Sequence, residues 1–254
     1  MLVAERLQKI VQYVNDKGSI RVTELSELCE VTEETIRRDL DKLENEGKLL
    51  RSHGGAISIK EIHPEIPYFE RETTNVEEKR KIAEAAVQCI HPRDRIVLDP
   101  SSTAWHVAKL LPDMPLTVIT NSIRVAMELS AKEKIEVIST GGILASRSLS
   151  YVGPLAERSM EMYHVDKAFI SCKGVHLERG ISESNEMQAL VKRKMISIAD
   201  QVYLLVDYSK FGVQAFAQIS NWHNIHNVIT DEKTDLQVVN TLQDMSIKVT
   251  QLSH

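Results

Sequence analysis

The chain has 254 residues, 43% hydrophobic and 26% charged, with 7 prolines and a formal net charge of -5 at pH 7. Those proportions exclude disordered and collagen-like polymers, and the length suits two domains, since a domain usually holds roughly 100 to 200 residues. The acidic balance does not advertise nucleic-acid binding. Cys29, Cys89 and Cys172 are scattered without paired spacing, which argues against a zinc site or a disulfide framework and for buried reduced thiols.

The N-terminal run MLVAERLQKIVQYV carries charged and amide groups throughout and lacks the unbroken apolar core and cleavage site of a signal peptide. No stretch approaches the roughly 20 apolar residues needed to cross a bilayer, so a cytoplasmic protein with no membrane partner is expected. Leu7, Ile10, Val11 and Val14 predict a helix starting near Val3, and Asn15, Asp16, Lys17 and Gly18 end it. A second helix over Val22 to Cys29 is expected to carry Leu25 and Leu28 inward, with Thr23 as its cap and Glu30 and Val31 as the turn. Thr32 then caps a third helix whose first turn holds Glu33 and Glu34, acids that suit the positive end of the helix dipole. Ile36, Leu40 and Leu43 form its buried stripe, and Gly47 stops it.

Thr35, Arg37 and Arg38 fall off that stripe in the N-terminal half of the helix, the part of a recognition helix that meets base edges. Arginine can present two donors to guanine, and threonine a hydroxyl or methyl to thymine. The run Leu49 to Ile57 alternates around Gly54-Gly55 as a short hairpin would. It predicts a wing that places Arg51 and His53 at the phosphate backbone. The candidate DNA contacts are Thr32, Glu34, Thr35, Arg37, Arg38, Lys42, Lys48, Arg51, His53 and Gly54. Three short helices with a hairpin also suit a protein-binding module. Residues 1 to 60 hold ten Lys or Arg against eleven Asp or Glu, so any basic surface must be local.

The run Met1 to Ile57 closely resembles the winged helix-turn-helix of the DeoR family of bacterial sugar-catabolism regulators. The family's recognition pattern S/T-x-x-T-I-R-R-D-L stands as Thr32, Thr35, Ile36, Arg37, Arg38, Asp39 and Leu40, and G-x-x-x-R-x-H-G-G runs from Gly47 to Gly55. The resemblance implies that Asp39 orients an arginine instead of touching bases. It also implies a regulator, expected to repress, that binds operator DNA as a homodimer or homotetramer.

Between Ser58 and Asn75 the periodicity fades and Pro64 and Pro67 appear, as in a linker. The expected domains are 1–57, a linker at 58–75, and 76–254. Val76 to Ile90 resumes a helical pattern. Strands are then expected at Ile96 to Asp99, Leu116 to Thr120, Ile135 to Ser139, Lys167 to Ser171, Val202 to Asp207, Val228 to Thr230 and Ile247 to Thr250, with helices between most of them. That alternation predicts an α/β domain with a mostly parallel sheet covered on both faces. Ligands in such sheets sit beyond the carboxyl ends of the strands. The residues there are small and polar: Asp99, Ser101, Ser102 and Thr103; Thr120 and Asn121; Gly141 and Gly142; Lys173; and Asp207 and Lys210. Hydroxyls and amides at a helix N-terminus suit a phosphate, the lysines supply charge, and Asp99 suits a sugar hydroxyl or a cap.

This second region also resembles the family's effector domain, whose fold resembles ribose-5-phosphate isomerase. The motifs stand as Asp99 to Thr103, Thr120-Asn121, Gly141-Gly142, Asp166 to Phe169 and Asp207 to Gly212. The resemblance implies a phosphorylated sugar as effector and no further cofactor or metal. Where the family has Gly-Thr-Thr, this chain has Ser101-Ser102-Thr103 followed by Trp105. That form resembles the branch of the fucose-operon regulator and points to a deoxyhexose pathway, fucose or rhamnose, with a ketose 1-phosphate as effector; the larger loop with an indole beside it is expected to change which sugar fits.

An isomerase fused to a helical module is the enzymatic alternative. Proton transfer between carbons needs a positioned base, and Asp99, Asp166, Glu183 and Glu186 are the acids to consider. Isomerases of that fold resemble a pattern with a long glycine-rich lysine loop. Here Lys173-Gly174 runs directly into Val175-His176, a truncation that argues against catalysis.

Overall fold

The apolar spacing of the N-terminal run does form a helix, α1 (Val3–Lys17), which turns Ile10 and Val14 into a core. The computed structural model describes residues 3–17, 19–46, 48–52, 54–58 and 65–253. They fall into two compact units, Met1–Pro64 and Glu65–His254.

In the smaller unit α1 is followed by β1 (Ser19–Arg21), α2 (Val22–Cys29), α3 (Glu33–Asn45), β2 (Leu49–Ser52) and β3 (Gly55–Ser58). Ile10, Val14, Leu25, Ile36, Leu40, Leu43 and Leu49 share one apolar core. Two details of α2 differ from the sequence expectation. Leu25 and Cys29 take the inward positions, so Leu28 is turned out and stands 40% exposed. Thr23 does not cap the helix: Arg21 holds the cap position without a side-chain bond, and the Thr23 carbonyl accepts from the Ser26 hydroxyl. Thr32 does cap α3, accepting from the Thr35 amide at 3.3 Å. The expected stop at Gly47 lies outside the described residues; Glu46 holds the cap position.

The hairpin β2–β3 gains a third strand, because β1 pairs antiparallel with β3. Three residues are too few to show a period, so this strand is set by its distant partner and not by local pattern. Gly55 makes the approach possible: a Cβ there would lie 2.0 Å from the Ile20 carbonyl oxygen.

The larger unit opens with α4 (Tyr68–Thr73) and α5 (Val76–Val87), then β4 (Arg95–Leu98), α6 (Ser102–Leu110), β5 (Leu116–Thr120), α7 (Ile123–Leu129) and β6 (Ile135–Ser139). There follow β7 (Ile143–Ala145), β8 (Ser150–Val152), α8 (Pro154–Met160), β9 (Val165–Ile170), β10 (Gly174–His176), β11 (Gly180–Glu183) and α9 (Glu186–Ser197). The chain ends with β12 (Ala199–Leu205), β13 (Ala217–Ser220), β14 (Asn227–Thr230), α10 (Leu236–Asp244) and β15 (Lys248–Gln251).

Seven of these strands form one sheet in the order β15-β14-β12-β9-β4-β5-β6, and every neighbouring pair is parallel. They are the seven strands expected from the apolar runs. Alternate residues face opposite sides, as a sheet buried on both faces requires. Ile96 and Leu98 join α5, α6 and α7 in one core, while Val97, Ala168 and Ile170 join α8, α9 and α10 in the other. Two smaller pieces have no counterpart in the pattern reading: the β7–β8 hairpin and the antiparallel sheet β10-β11-β13.

The segment expected as linker is more than that from Glu65 onward. Tyr68 is fully buried, its amide donates to the Arg147 carbonyl at 2.7 Å, and Arg71 and Arg124 lie against its ring at 5.5 and 5.4 Å. Burying one aromatic ring stabilises by roughly 1.5–3 kcal/mol, one contribution among several that hold this strap of chain on the larger unit.

Candidate nucleic-acid interface and ligand cleft

On the smaller unit the outward face of α3 carries Glu34, Arg37, Arg38 and Lys42, all exposed, with Thr35 half-buried beside them. Arg37 and Arg38 pair along the helix with Glu33 at 3.2 Å and Glu34 at 3.3 Å. Exposed pairs of this kind contribute about 0.3–0.5 kcal/mol, so the arginines can exchange these partners for phosphates or base edges at little cost. Thr32 and Thr35 hydroxyls lie 3.0 Å apart at the helix start.

Asp39 stands on the other side, buried, and accepts from Arg6 of α1 at 2.6 and 3.3 Å. The carboxylate orients an arginine, and that arginine belongs to the unit's own α1. Its hydrogen bond raises the Arg6 pKa and keeps the guanidinium charged. Arg51 of β2 donates to the Arg37 carbonyl at 3.0 Å and pairs with Asp41 at 3.2 Å, so it braces the wing on α3. The Gly54 carbonyl accepts from the Val22 amide at 2.9 Å, fixing the turn against α2. Lys48 is exposed and pairs with Glu46 at 2.7 Å. His53 lies outside the described residues.

In the larger unit the strand order reverses at β4: β5 and β6 lie to one side, β9, β12, β14 and β15 to the other. A crevice is expected where strand order reverses. A cleft of about 670 Å³, counting the space open to solvent at its mouth, lies there. Ser101, Ser102 and Thr103 line it from the β4 side, and Ser171, Cys172 and Lys173 from the β9 side. Glu183, Ser184, Lys192 and Lys210 complete one wall, and Glu65, Ile66, Arg71, Thr74, Asn75 and Lys79 the other.

Asp99 ties the floor together. Its two carboxylate oxygens accept from the Ser101 amide at 3.1 Å and the Ser171 amide at 2.9 Å, joining the loops that follow β4 and β9. Lys192 lies 3.1 Å from Asp99 and 2.7 Å from Glu183, and donates to the Ser171 carbonyl at 2.8 Å. Burial opposes the charge on Lys192, but Glu183 and Asp99 outweigh it and raise its pKa. Burial likewise opposes the charge on Glu183, and Lys192 reverses that to hold it below the usual carboxylate range. The three groups form a buried, internally bonded cluster of one ammonium and two carboxylates.

The cations left to face a ligand are Arg71, Lys79, Lys173 and Lys210. Burial lowers the pKa of Lys79 to about 8 against the pull of Asp207, and lowers that of Lys173, with Lys210 adding to the effect. The Ser101 hydroxyl accepts from the Ala104 amide at 3.0 Å, capping α6 and setting its first turn at the cleft. First-turn amides have no partner within a helix, and together with these cations they suit an anion. Glu65 is the opposing acid. Burial raises its pKa, and it can accept from a hydroxyl.

Of the eleven expected effector residues the cleft brings together Ser101, Ser102, Thr103, Lys173 and Lys210. Asp99 lies beneath it. Asp207 is behind its wall, accepting from Asn75 at 2.9 Å. Thr120 and Asn121 are elsewhere on the same sheet edge: the Thr120 hydroxyl donates to the Leu98 carbonyl at 2.7 Å, and the Asn121 amide to the Tyr151 carbonyl at 2.8 Å, which fastens β8. Gly141 and Gly142 serve the turn into that hairpin. Gly142 has φ of +121°, and a Cβ there would lie 2.8 Å from the Val152 carbonyl oxygen.

Trp105 also departs from expectation. It does not line the cleft; its indole N–H donates to Glu128 at 3.0 Å and Arg124 lies over its ring at 5.2 Å. One turn of α6 separates the two faces. Among the acids considered for proton transfer, Asp99 and Glu183 are locked to Lys192. Asp166 sits at the opposite end of the sheet with Arg95 at 3.1 Å, and Glu186 is exposed on α9. Sequence reasoning missed Arg71, Lys79 and Glu65, whose only signal was the return of charged helical spacing around Asn75. No helix among the described residues is long and apolar enough to cross a membrane.

Comparison with known proteins gives a consistent picture. A family model described as the DeoR-like helix-turn-helix domain matches residues 6–62, and one described as the DeoR C terminal sensor domain matches 74–232. An uncharacterized HTH-type transcriptional regulator of Bacillus subtilis, YulB, is 57% identical over 98% of this chain and 97% of its own. The L-fucose operon activator of Haemophilus influenzae is 38% identical over 89% of this chain and 91% of its own. The transcriptional repressor GlcR of Bacillus subtilis is 40% identical over 91% and 89%. Among solved structures, ribose 5-phosphate isomerase A of Methanocaldococcus jannaschii is similar over 54% of this chain and 55% of its own, with 20% identity and a TM-score of 0.42.

Proposed function

The chain belongs to the DeoR family of DNA-binding transcriptional regulators, and from that premise we propose that it represses a carbohydrate catabolic operon until a phosphorylated sugar fills the cleft at the strand reversal. Residues 1–57 read the operator, 76–254 bind the effector, and the segment between contributes to the cleft. The single observation that carries the effector assignment is the meeting of the α6 first turn with Arg71, Lys79, Lys173 and Lys210, with the acid Glu65 opposite them. Such a site wants a dianionic group at one end and a hydroxyl at the other. A ketose 1-phosphate of deoxyhexose breakdown, from rhamnose or fucose, meets both requirements.

Operator recognition uses Thr35, Arg37 and Arg38 toward bases. A homodimer or homotetramer presents such helices to paired half-sites. The effector lowers operator affinity by binding the two conformations unequally. Thermal denaturation against L-fuculose 1-phosphate, L-rhamnulose 1-phosphate and common hexose phosphates tests the assignment. A ligand at a hundred times its Kd adds about 2.7 kcal/mol of stability; a panel with no shift for any phosphorylated sugar would refute it. Activation is the second reading, because the Haemophilus influenzae relative is named an activator. Reporter output with and without the inducing sugar separates the two. An isomerase reading requires turnover of pentose or hexose phosphates, which a direct assay would detect.

A further inference from the structure

Donors that an anionic ligand would recruit in the cleft are already engaged with the strap that forms its wall. Lys79 is 4% exposed, and its ammonium donates to the carbonyl oxygens of Arg71 at 2.5 Å and Thr74 at 2.6 Å. The Ser102 hydroxyl, at the start of α6, donates to the same Arg71 carbonyl at 3.3 Å. An ammonium has three N–H donors. The strap takes two and leaves one for a ligand.

Both ends of the strap are fastened to the larger unit. Near its start Tyr68 is buried against Arg124, which also pairs with Glu72 at 2.7 Å. At its finish Asn75 donates to Asp207 at 2.9 Å and to Ser209 at 3.2 Å. Between these anchors Arg71 reaches the cleft, and its Nη2 is buried without a hydrogen-bond partner among the described residues. The strap begins at residue 65, where the smaller unit has just ended.

We propose that the strap 65–75 is the element that reports occupancy of the cleft, and that Lys79 is the positioning residue joining ligand to strap; this rests on the sugar-phosphate reading above. A phosphate oxygen accepts more strongly than a carbonyl and takes the remaining Lys79 donor without displacing the strap. Arg71 supplies the strap's own contact to the same anion. Only while the strap is docked does Arg71 reach the anion and do the strap carbonyls hold the Lys79 ammonium in place beside it, so the ligand favours that arrangement over an undocked one, which is the differential affinity a switch requires. The change is delivered at the point where the chain leaves for the DNA-binding unit.

Hydrogen exchange followed by mass spectrometry on the full chain tests this, with L-fuculose 1-phosphate and L-rhamnulose 1-phosphate as ligands, inorganic phosphate as the minimal probe, and calorimetry to establish saturation. Peptides covering 65–75 should exchange more slowly when the cleft is filled, on the order of five- to a hundredfold, the usual range of coupling between sites. In Lys79→Met at saturating ligand the slowing should vanish. Arg71→Gln keeps the Lys79 bonds to the strap and should show a reduced slowing, which covers the case of a Lys79 variant that fails to fold. Calorimetric binding with strap exchange unchanged or faster in the wild type, or undiminished slowing in Lys79→Met, overturns the proposal while leaving the sugar-phosphate reading intact. No binding of any of these probes to the wild type counts against both.

Discussion

Lys192 and Asp99 lie 3.1 Å apart with side chains 5% and 0% exposed, on α9 and just after β4, and their pairing holds the two sides of the strand reversal together. Removing one partner of a buried pair strands the other, at a cost of about 3–5 kcal/mol. Lys192→Met should therefore destabilise the larger unit by that amount. Adding Glu183→Gln and Asp99→Asn should recover part of the loss, because the uncompensated charges go too. Both tryptophans, Trp105 and Trp222, lie in this unit, so their fluorescence in urea titrations follows it alone. Unchanged midpoints for Lys192→Met would show that the cluster is not structural.

The triple substitution Thr35→Ala, Arg37→Ala, Arg38→Ala should leave the smaller unit folded, since none of the three contributes to its apolar core. Each good base contact discriminates by about 1–3 kcal/mol, so specific binding to the chain's own upstream DNA should fall at least a hundredfold in gel-shift titrations. Circular dichroism checks the fold. Retained operator affinity would sink the recognition assignment.

Asp39 is the contrasting case on the same helix. Its partner Arg6 is 11% exposed and its own side chain 10%, so Asp39→Ala leaves a partly buried charge without its partner and should cost about 1–3 kcal/mol. The unit should unfold earlier in temperature or urea, while Arg37→Ala leaves the midpoint within about 0.5 kcal/mol, as exposed positions usually do. Amide exchange of peptides from α1 and α3 distinguishes the two variants.

The outward place of Arg38 was legible from helical spacing, whereas the role of its neighbour Asp39 was read only from the family resemblance. The seven parallel strands were legible because short β-branched and apolar runs recur between helical segments, although β15 (KVTQ) holds only one apolar residue. Leu28 misled because Val22, Leu25 and Cys29 already take the inward positions of this short helix. The effector residues divided differently. A strand end says which edge of the sheet a residue occupies, but not how far along that edge, and Thr120, Asn121, Gly141 and Gly142 lie where the β7–β8 hairpin covers it. Arg71 and Lys79 were invisible because their place in the cleft depends on Tyr68 finding a buried site far away in sequence, which no local pattern records.

Lys79 gives the cleft a pH dependence of definite sign. Burial brings its pKa to about 8 in the folded chain, from 10.5 in the unfolded one. Between those values the unfolded chain holds a proton that the folded one has released, so the contribution of this residue to stability rises with pH across that window. Anion binding runs the other way. A phosphate in the cleft favours the charged ammonium, so affinity should fall as pH climbs through about 8, and binding near that pH should take up protons. Calorimetry in buffers of different ionisation enthalpy measures the uptake directly. Lys79→Met should abolish it and flatten the affinity profile between pH 7 and 9; a proton uptake that survives the substitution would assign the titration to another group, with Lys173, also lowered by burial, the next to substitute.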